Sequence, residues 1–421
     1  MKGTGTAGLI SYLVLVFSFG LLSTYTSAHA NGRSTASAGE LRVLWSTSIP
    51  GATCVDTWDY DGDGIDEIFV NARNSLLKVY GLDGTIKAQI SFPFKPQFEI
   101  GHHPTGSFHI LAYSIWDYSV TVWDSSGTYL WFFPTPYGVD GAHWGDLNGD
   151  GRDEMVVGLN GVYGLHILSD SGQALWSDMT IANVWSQAIV PATDGNAGLV
   201  FATEAAGTIR MYTAGGGFVR SFRPLNQYCT YVNATRISST GEIQVVTFAG
   251  DSAVAFDTTG QTMWISHGWD RPGTWPDEFE KGDLDGDGVI DWVYRPDSNS
   301  LSIRSADDGT QLALYEDGGR FVDYDIARCS KSPGALVALV NDSLIVFEYS
   351  PFPRCGDADG EGTINIADAV YLISYIFSHG PAPSPLAAGD ADCSGDINIA
   401  DCVYLINYIF SHGPQPCAGC K

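Results

Sequence analysis

Basic residues are scarce in this chain of 421 residues: 21 lysines and arginines stand against 48 aspartates and glutamates, a formal charge of −27. That balance disfavours nucleic acid and anionic membrane surfaces as partners, because both would be repelled. Long apolar runs are also missing. Beyond Leu22 no stretch approaches the roughly 18 uncharged apolar residues that a spanning helix needs. Catalytic signatures are absent too: no G-x-S-x-G, H-E-x-x-H, P-loop or Cys–His arrangement stands in a fitting context. Helical periodicity hardly appears before residue 355, so the body of the chain reads as β structure.

What is present begins with Lys2, an apolar run from Leu9 to Leu22, and Ser27-Ala28-His29-Ala30. A charged start, a short apolar core and an A-x-A site describe a secretory signal peptide over residues 1–30, with an uncleaved anchor as the alternative. The expected location is therefore outside the cell or on its surface, with no membrane span once the peptide is removed. Three cysteines (Cys54, Cys229, Cys329) lie in the body and five (Cys355, Cys393, Cys402, Cys417, Cys420) near the end. In an exported chain such a terminal cluster predicts at least one disulfide, with its connectivity left open. The Cys417–Cys420 pair has no second pair to complete a zinc site.

Turn glycines recur at Gly84, Gly127, Gly172, Gly216, Gly260 and Gly309, each after a β-rich stretch. Trp131, Trp176 and Trp264 follow their glycines by the same offset. Short alternating strands with a period in the forties predict β-propeller blades, against a β-solenoid or paired sandwiches. Residues 41–350 hold seven such units. Leu41–Trp45 resembles a closing strand without its blade and Ser343–Phe347 a blade without its closing strand. Pairing them would close the ring and remove two exposed sheet edges.

Three units carry one acidic loop, beginning at Asp59, Asp146 and Asp283. Side-chain oxygens at positions 1, 3 and 5, a carbonyl at 7 and an acid at 9 form an all-oxygen shell suited to calcium. The expected ligands are Asp59, Asp61, Asp63, Ile65 and Glu67; Asp146, Asn148, Asp150, Arg152 and Glu154; and Asp283, Asp285, Asp287, Val289 and Asp291. The loops fall at one structural position in units one, three and six. This pattern resembles FG-GAP or VCBS-type repeats of integrin-like propellers, and the resemblance implies structural calcium.

After a proline-rich break at residues 351–354, residues 355–421 form a second module. Two segments 33 residues apart are near copies, with twelve-residue loops starting at Asp357 and Asp390. Oxygens at 1, 3, 5 and 12 and glycine at 6 follow EF-hand spacing, with Asp at the last position. The expected ligands are Asp357, Asp359, Glu361, Thr363 and Asp368, and Asp390, Asp392, Ser394, Asp396 and Asp401, bringing the total to about five calcium sites. Each loop feeds one amphipathic helix stopped by Ser-His-Gly-Pro.

Paired loop–helix units of this kind resemble type I dockerins. The resemblance implies docking onto a cohesin domain of a scaffold protein, often in assemblies that break down polysaccharides. Loop positions 10 and 11, often Ser-Thr in dockerins, are Ile366-Ala367 and Ile399-Ala400 here, which points to an altered partner specificity or to intramolecular packing. The expected fold is mainly β: a seven-bladed propeller followed by a small all-α calcium-binding module. One aromatic and charged segment (Trp269, Asp270, Arg271, Trp275, Asp277, Glu278) is a candidate ligand site for a polysaccharide or glycoprotein, with an ordinary inter-blade loop as the bland reading. Whether the propeller is an enzyme stays open. A binding module, a glycan lyase or hydrolase, and a structural or adhesion protein are the three readings.

Overall fold

The computed structural model describes residues 39–416 apart from 94, 104–106, 194, 238–239, 269–278, 317–318, 330–332, 352–354, 361–363, 385 and 412. The candidate segment Trp269–Glu278, the expected ligands Glu361 and Thr363, the expected leader over residues 1–30 and the Cys417–Cys420 pair lie outside the described residues. Among the described residues, 28 strands form seven four-stranded antiparallel sheets, each made from strands consecutive in the chain except one. That architecture is a seven-bladed β-propeller, and the solenoid and sandwich alternatives are excluded.

The exception is the closure. Gly39–Ser48 is the fourth strand of the last blade and pairs antiparallel with Ser343–Pro351, from Gly39 opposite Pro351 to Ser48 opposite Ser343. The two half-signals at the ends of the sequence thus complete one sheet. No lone edge is left where the ring joins.

Repeating tryptophans join successive blades. Trp45, Trp131, Trp176 and Trp264 sit on outer strands, and each ring packs against the turn glycine of the following blade: Gly84, Gly172, Gly216 and Gly309. Those glycines adopt left-handed φ values near +80°, and a Cβ on Gly172 would lie 2.7 Å from the Trp131 ring. Glycine is therefore required twice over, for the turn and for the approach. Trp45, Trp131 and Trp176 also donate their indole N–H to a carbonyl of that next turn, at Leu82, Asp170 and Ala214.

Side chains on the innermost strands stitch blade to blade. Asp323 accepts from the Val55 amide, Asp56 from Ile100, Glu99 from Trp144, and the Ser186 hydroxyl from Val232. These groups ring a central cavity of about 1000 Å³.

Two α-helices, α1 (Ile366–Ser378) and α2 (Ile399–Ser411), follow the twelve-residue loops and end at the predicted serines. Their shared core is small and doubled: Ala358, Ala369 and Leu372 from one half, Ala391, Cys402 and Leu405 from the other. Cys355 and Cys393 are disulfide-bonded, whereas Cys54, Cys229 and Cys402 are thiols. Among the described residues no helix is long and apolar enough to cross a membrane.

Candidate metal centres and docking face

The three blade loops join the first and second strands of blades 1, 3 and 6, and one hydrogen-bond skeleton folds them all. The first aspartate caps the turn: Asp59 accepts from Gly62 and Gly64, Asp146 from Gly149 and Gly151, Asp283 from Gly286 and Gly288. The acid at position 9 reaches back to the amide at position 2, as Glu67 to Tyr60, Glu154 to Leu147 and Asp291 to Leu284, each at 2.8–2.9 Å. These bonds pull positions 1, 3 and 9 together. The carboxylates of Asp59, Asp61 and Glu67 approach within 4.8 Å of one another, and so do those of Asp283, Asp285 and Asp291.

Position 5 is placed differently. Asp63, Asp150 and Asp287 each accept from the amide two residues on, at Ile65, Arg152 and Val289. In the middle loop Asn148 replaces the second acid, and its amide donates to Glu154 at 2.9 Å. The guanidinium of Arg152 turns outward to Asp170 at 3.0 Å.

Confining carboxylates raises their affinity for protons. Burial first, then the charges of Asp285, Asp287 and Asp283, push Asp291 up to about 8. Burial and the charges of Asp150 and Asp146 push Glu154 up to about 7. Oxygen-only donors that are buried together and repel one another fit a hard divalent cation, which would supply the missing positive charge.

The described parts of the two terminal loops share the same hydrogen bonds around their last aspartate. Asp368 accepts from the Asn365 amide at 2.8 Å and from Asp359 at 3.3 Å; Asp401 accepts from Asn398 at 2.8 Å and Asp392 at 3.2 Å. The Asn365 and Asn398 side chains in turn accept from the Ala367 and Ala400 amides, and at α1 this belongs to a capping box. Both terminal aspartates are fully buried, and burial raises their proton affinity. Asp357, Asp359 and Asp368 converge within 4.8 Å, as do Asp390, Asp392 and Asp401. Ser394 and Asp396 stand at the rim, with the Asp396 carbonyl accepting from the Ser394 hydroxyl.

Beyond these loops lies a surface that the pair Ile366-Ala367 and Ile399-Ala400 only begins. Ile366, Val370, Ile373 and Phe377 form an exposed stripe along α1, and Ile399, Val403, Ile406 and Phe410 form its copy along α2. Phe377 is 63% exposed and Phe410 64%. The sequence announced amphipathic helices, but two helices share a core too small to bury both apolar faces. Matching apolar residues at the same spacing outside the core positions were the available signal. An apolar stripe left open on a small domain marks an interaction surface.

The cavity's acids are less available. Asp325 accepts from the Thr57 hydroxyl and the Ile326 amide, and it hydrogen-bonds to Asp56. Burial, then the charges of Asp325 and Glu99, hold Asp56 well above the usual carboxylate range, and burial pushes Asp325 up to about 6. No motif marks these strands, so sequence reasoning missed the ring. The histidines also serve the scaffold: His102 binds the Gly151 carbonyl at 3.0 Å, and the rings of His103 and His109 lie 4.6 Å apart.

Comparison with solved structures places the fold. The chain is similar to one chain in each of two crystal structures of BBS1N in complex with ARL6DN, one soaked with mercury and one with lead. TM-scores are 0.56 and 0.55, at 11% identity, over 74% of this chain and 97% of that one. At that identity the likeness is one of fold alone. No curated protein matches the sequence.

Residues 355–410 match the dockerin type I domain family and are a dockerin type I domain. Dockerin domains of this type bind calcium and take cohesin domains as partners.

Proposed function

We propose that this is an exported calcium-binding propeller delivered by its C-terminal dockerin to a cohesin-bearing scaffold or cell-surface assembly, where the propeller acts as a binding module in polysaccharide recognition or breakdown. The observation that carries the docking part is the doubled apolar stripe on α1 and α2, set beside the two acidic loops. Calcium held by those loops would fold the segment, since its core is too small to do so alone.

The domain plan is a leader over 1–30, a propeller of FG-GAP or VCBS type over 41–350, a linker over 351–354 and the docking module over 355–421. The blade loops serve as further cation sites, bracing a propeller whose ligand is a glycan or glycoprotein. A binding role is favoured over catalysis because the channel acids Asp56, Glu99 and Asp323 already accept from backbone amides of neighbouring blades. The test is capture of the full chain on immobilised type I cohesin domains, with calcium and with EGTA. Calcium-dependent retention supports docking, and equal or absent retention in both buffers refutes it.

A further inference from the structure

The three blade loops share one skeleton but neutralise their acids in different ways, and the first does so with a residue of its own chain. The Lys87 ammonium lies 2.7 Å from Asp61 and 3.0 Å from Glu67, bridging positions 3 and 9 of the first loop. Glu67 is almost completely buried and belongs, with Asp59 and Asp61, to the cluster of converging carboxylates. A positive charge thus already sits against two of the three acids that would hold a cation.

The position of Lys87 in its blade is unlike that of its counterparts. Every fourth strand of the propeller carries a β-bulge, where one residue is skipped in the pairing. Those residues are Leu44, Lys87, Leu130, Leu175, Val219, Met263 and Leu312. Six are apolar, and Lys87 alone is charged. Blades 3 and 6, which carry the other two acidic loops, have Leu175 and Leu312 there. In the blade 6 loop no lysine or arginine bridges Asp285 and Asp291 among the described residues. A bulge aims its extra side chain away from the regular ladder, which is how this residue reaches the neighbouring loop.

We propose that Lys87 is a built-in cation that occupies the first loop and competes with divalent ions for it, so that the loop of blade 1 holds its shape without calcium while the loop of blade 6 depends on it. The competition is electrostatic: a bound divalent ion must displace or repel an ammonium within ion-pair distance of two ligands. The inference rests on the reading of the blade loops as cation sites, and the experiment separates the two.

Full-length chain stripped with chelator is titrated with calcium chloride by calorimetry and melted with and without calcium. Lys87→Leu places at the bulge the residue found in blades 3 and 6, and Lys87→Gln is a second, neutral variant of similar length. Both are expected to bind one calcium ion more than wild type, or to tighten one existing site at least tenfold, and to melt lower in chelator with recovery in calcium. Asp285→Ala is expected to lose one ion. If the Lys87 variants match wild type while Asp285→Ala loses an ion, Lys87 does not gate its loop and the proposal fails. If Asp285→Ala changes nothing either, the loops are not cation sites and the proposal falls together with the reading beneath it.

Discussion

Truncating the two exposed phenylalanines of the docking module gives a prediction whose size follows from symmetry. Phe377 and Phe410 occupy the same place on α1 and α2 and are equally exposed, at 63% and 64%. Covering that much of a phenylalanine ring, with about 25 cal/mol per Å² of apolar area, contributes about 3 kcal/mol to an interface. The copies are related by the internal repeat, so a partner that reads one stripe can read the other in a reversed orientation. Phe377→Ala then removes one of two equivalent modes, a loss of about twofold in affinity, or about 0.4 kcal/mol. Phe410→Ala does the same. The double variant removes both, and affinity for a type I cohesin domain should drop by about two orders of magnitude. Calorimetry in saturating calcium reads all three. A single variant that abolishes binding would refute the equivalence of the stripes, and a double variant that binds like wild type would refute the docking face.

Two further predictions concern the propeller. Trp176 donates its indole N–H to Ala214, whereas the buried Trp264 nitrogen has no hydrogen-bond partner among the described residues. Trp176→Phe loses a bond and Trp264→Phe does not, so urea unfolding should show Trp264→Phe to be the milder change by about 1 kcal/mol; equal costs would contradict the assigned bonds. The Asp56–Asp325 pair makes stability depend on pH. Both groups hold protons more tightly in the folded chain than in the unfolded one, so their contribution is favourable at low pH and declines as pH rises through the folded values. For Asp325 the rise from 3.8 to about 6 sets that decline at no more than about 3 kcal/mol. In saturating calcium, Asp325→Asn should flatten the fall in stability between about pH 4 and pH 6. An unchanged slope would remove the pair as its source.

Much of this was legible in the sequence, because the strongest constraints are local. A turn needing positive φ writes a glycine at each period, and a cation loop writes oxygen side chains at fixed offsets. The ring closure could also be read, since Leu41–Trp45 and Ser343–Phe347 each lacked a partner. What could not be read depends on register. Lys87 differs from its neighbours only once the bulges are aligned, and its pairing with Asp61 and Glu67 spans strand four and the first loop. The channel acids lie on strands without a motif. The apolar stripes were signalled only by their matching spacing: in α1, Val370 and Leu372 look alike as sequence, and the face that packs against α2 decides which one is left outside.

Calcium is expected to fold the docking module and so to present its paired stripes. Hydrogen exchange on the full chain, followed by mass spectrometry of peptides covering Ile366–Ser378 and Ile399–Ser411, tests it directly. Both helices should be protected in calcium and should exchange rapidly in EGTA. Protection that is the same in both buffers would show that the module folds without the ion and would contradict the claim.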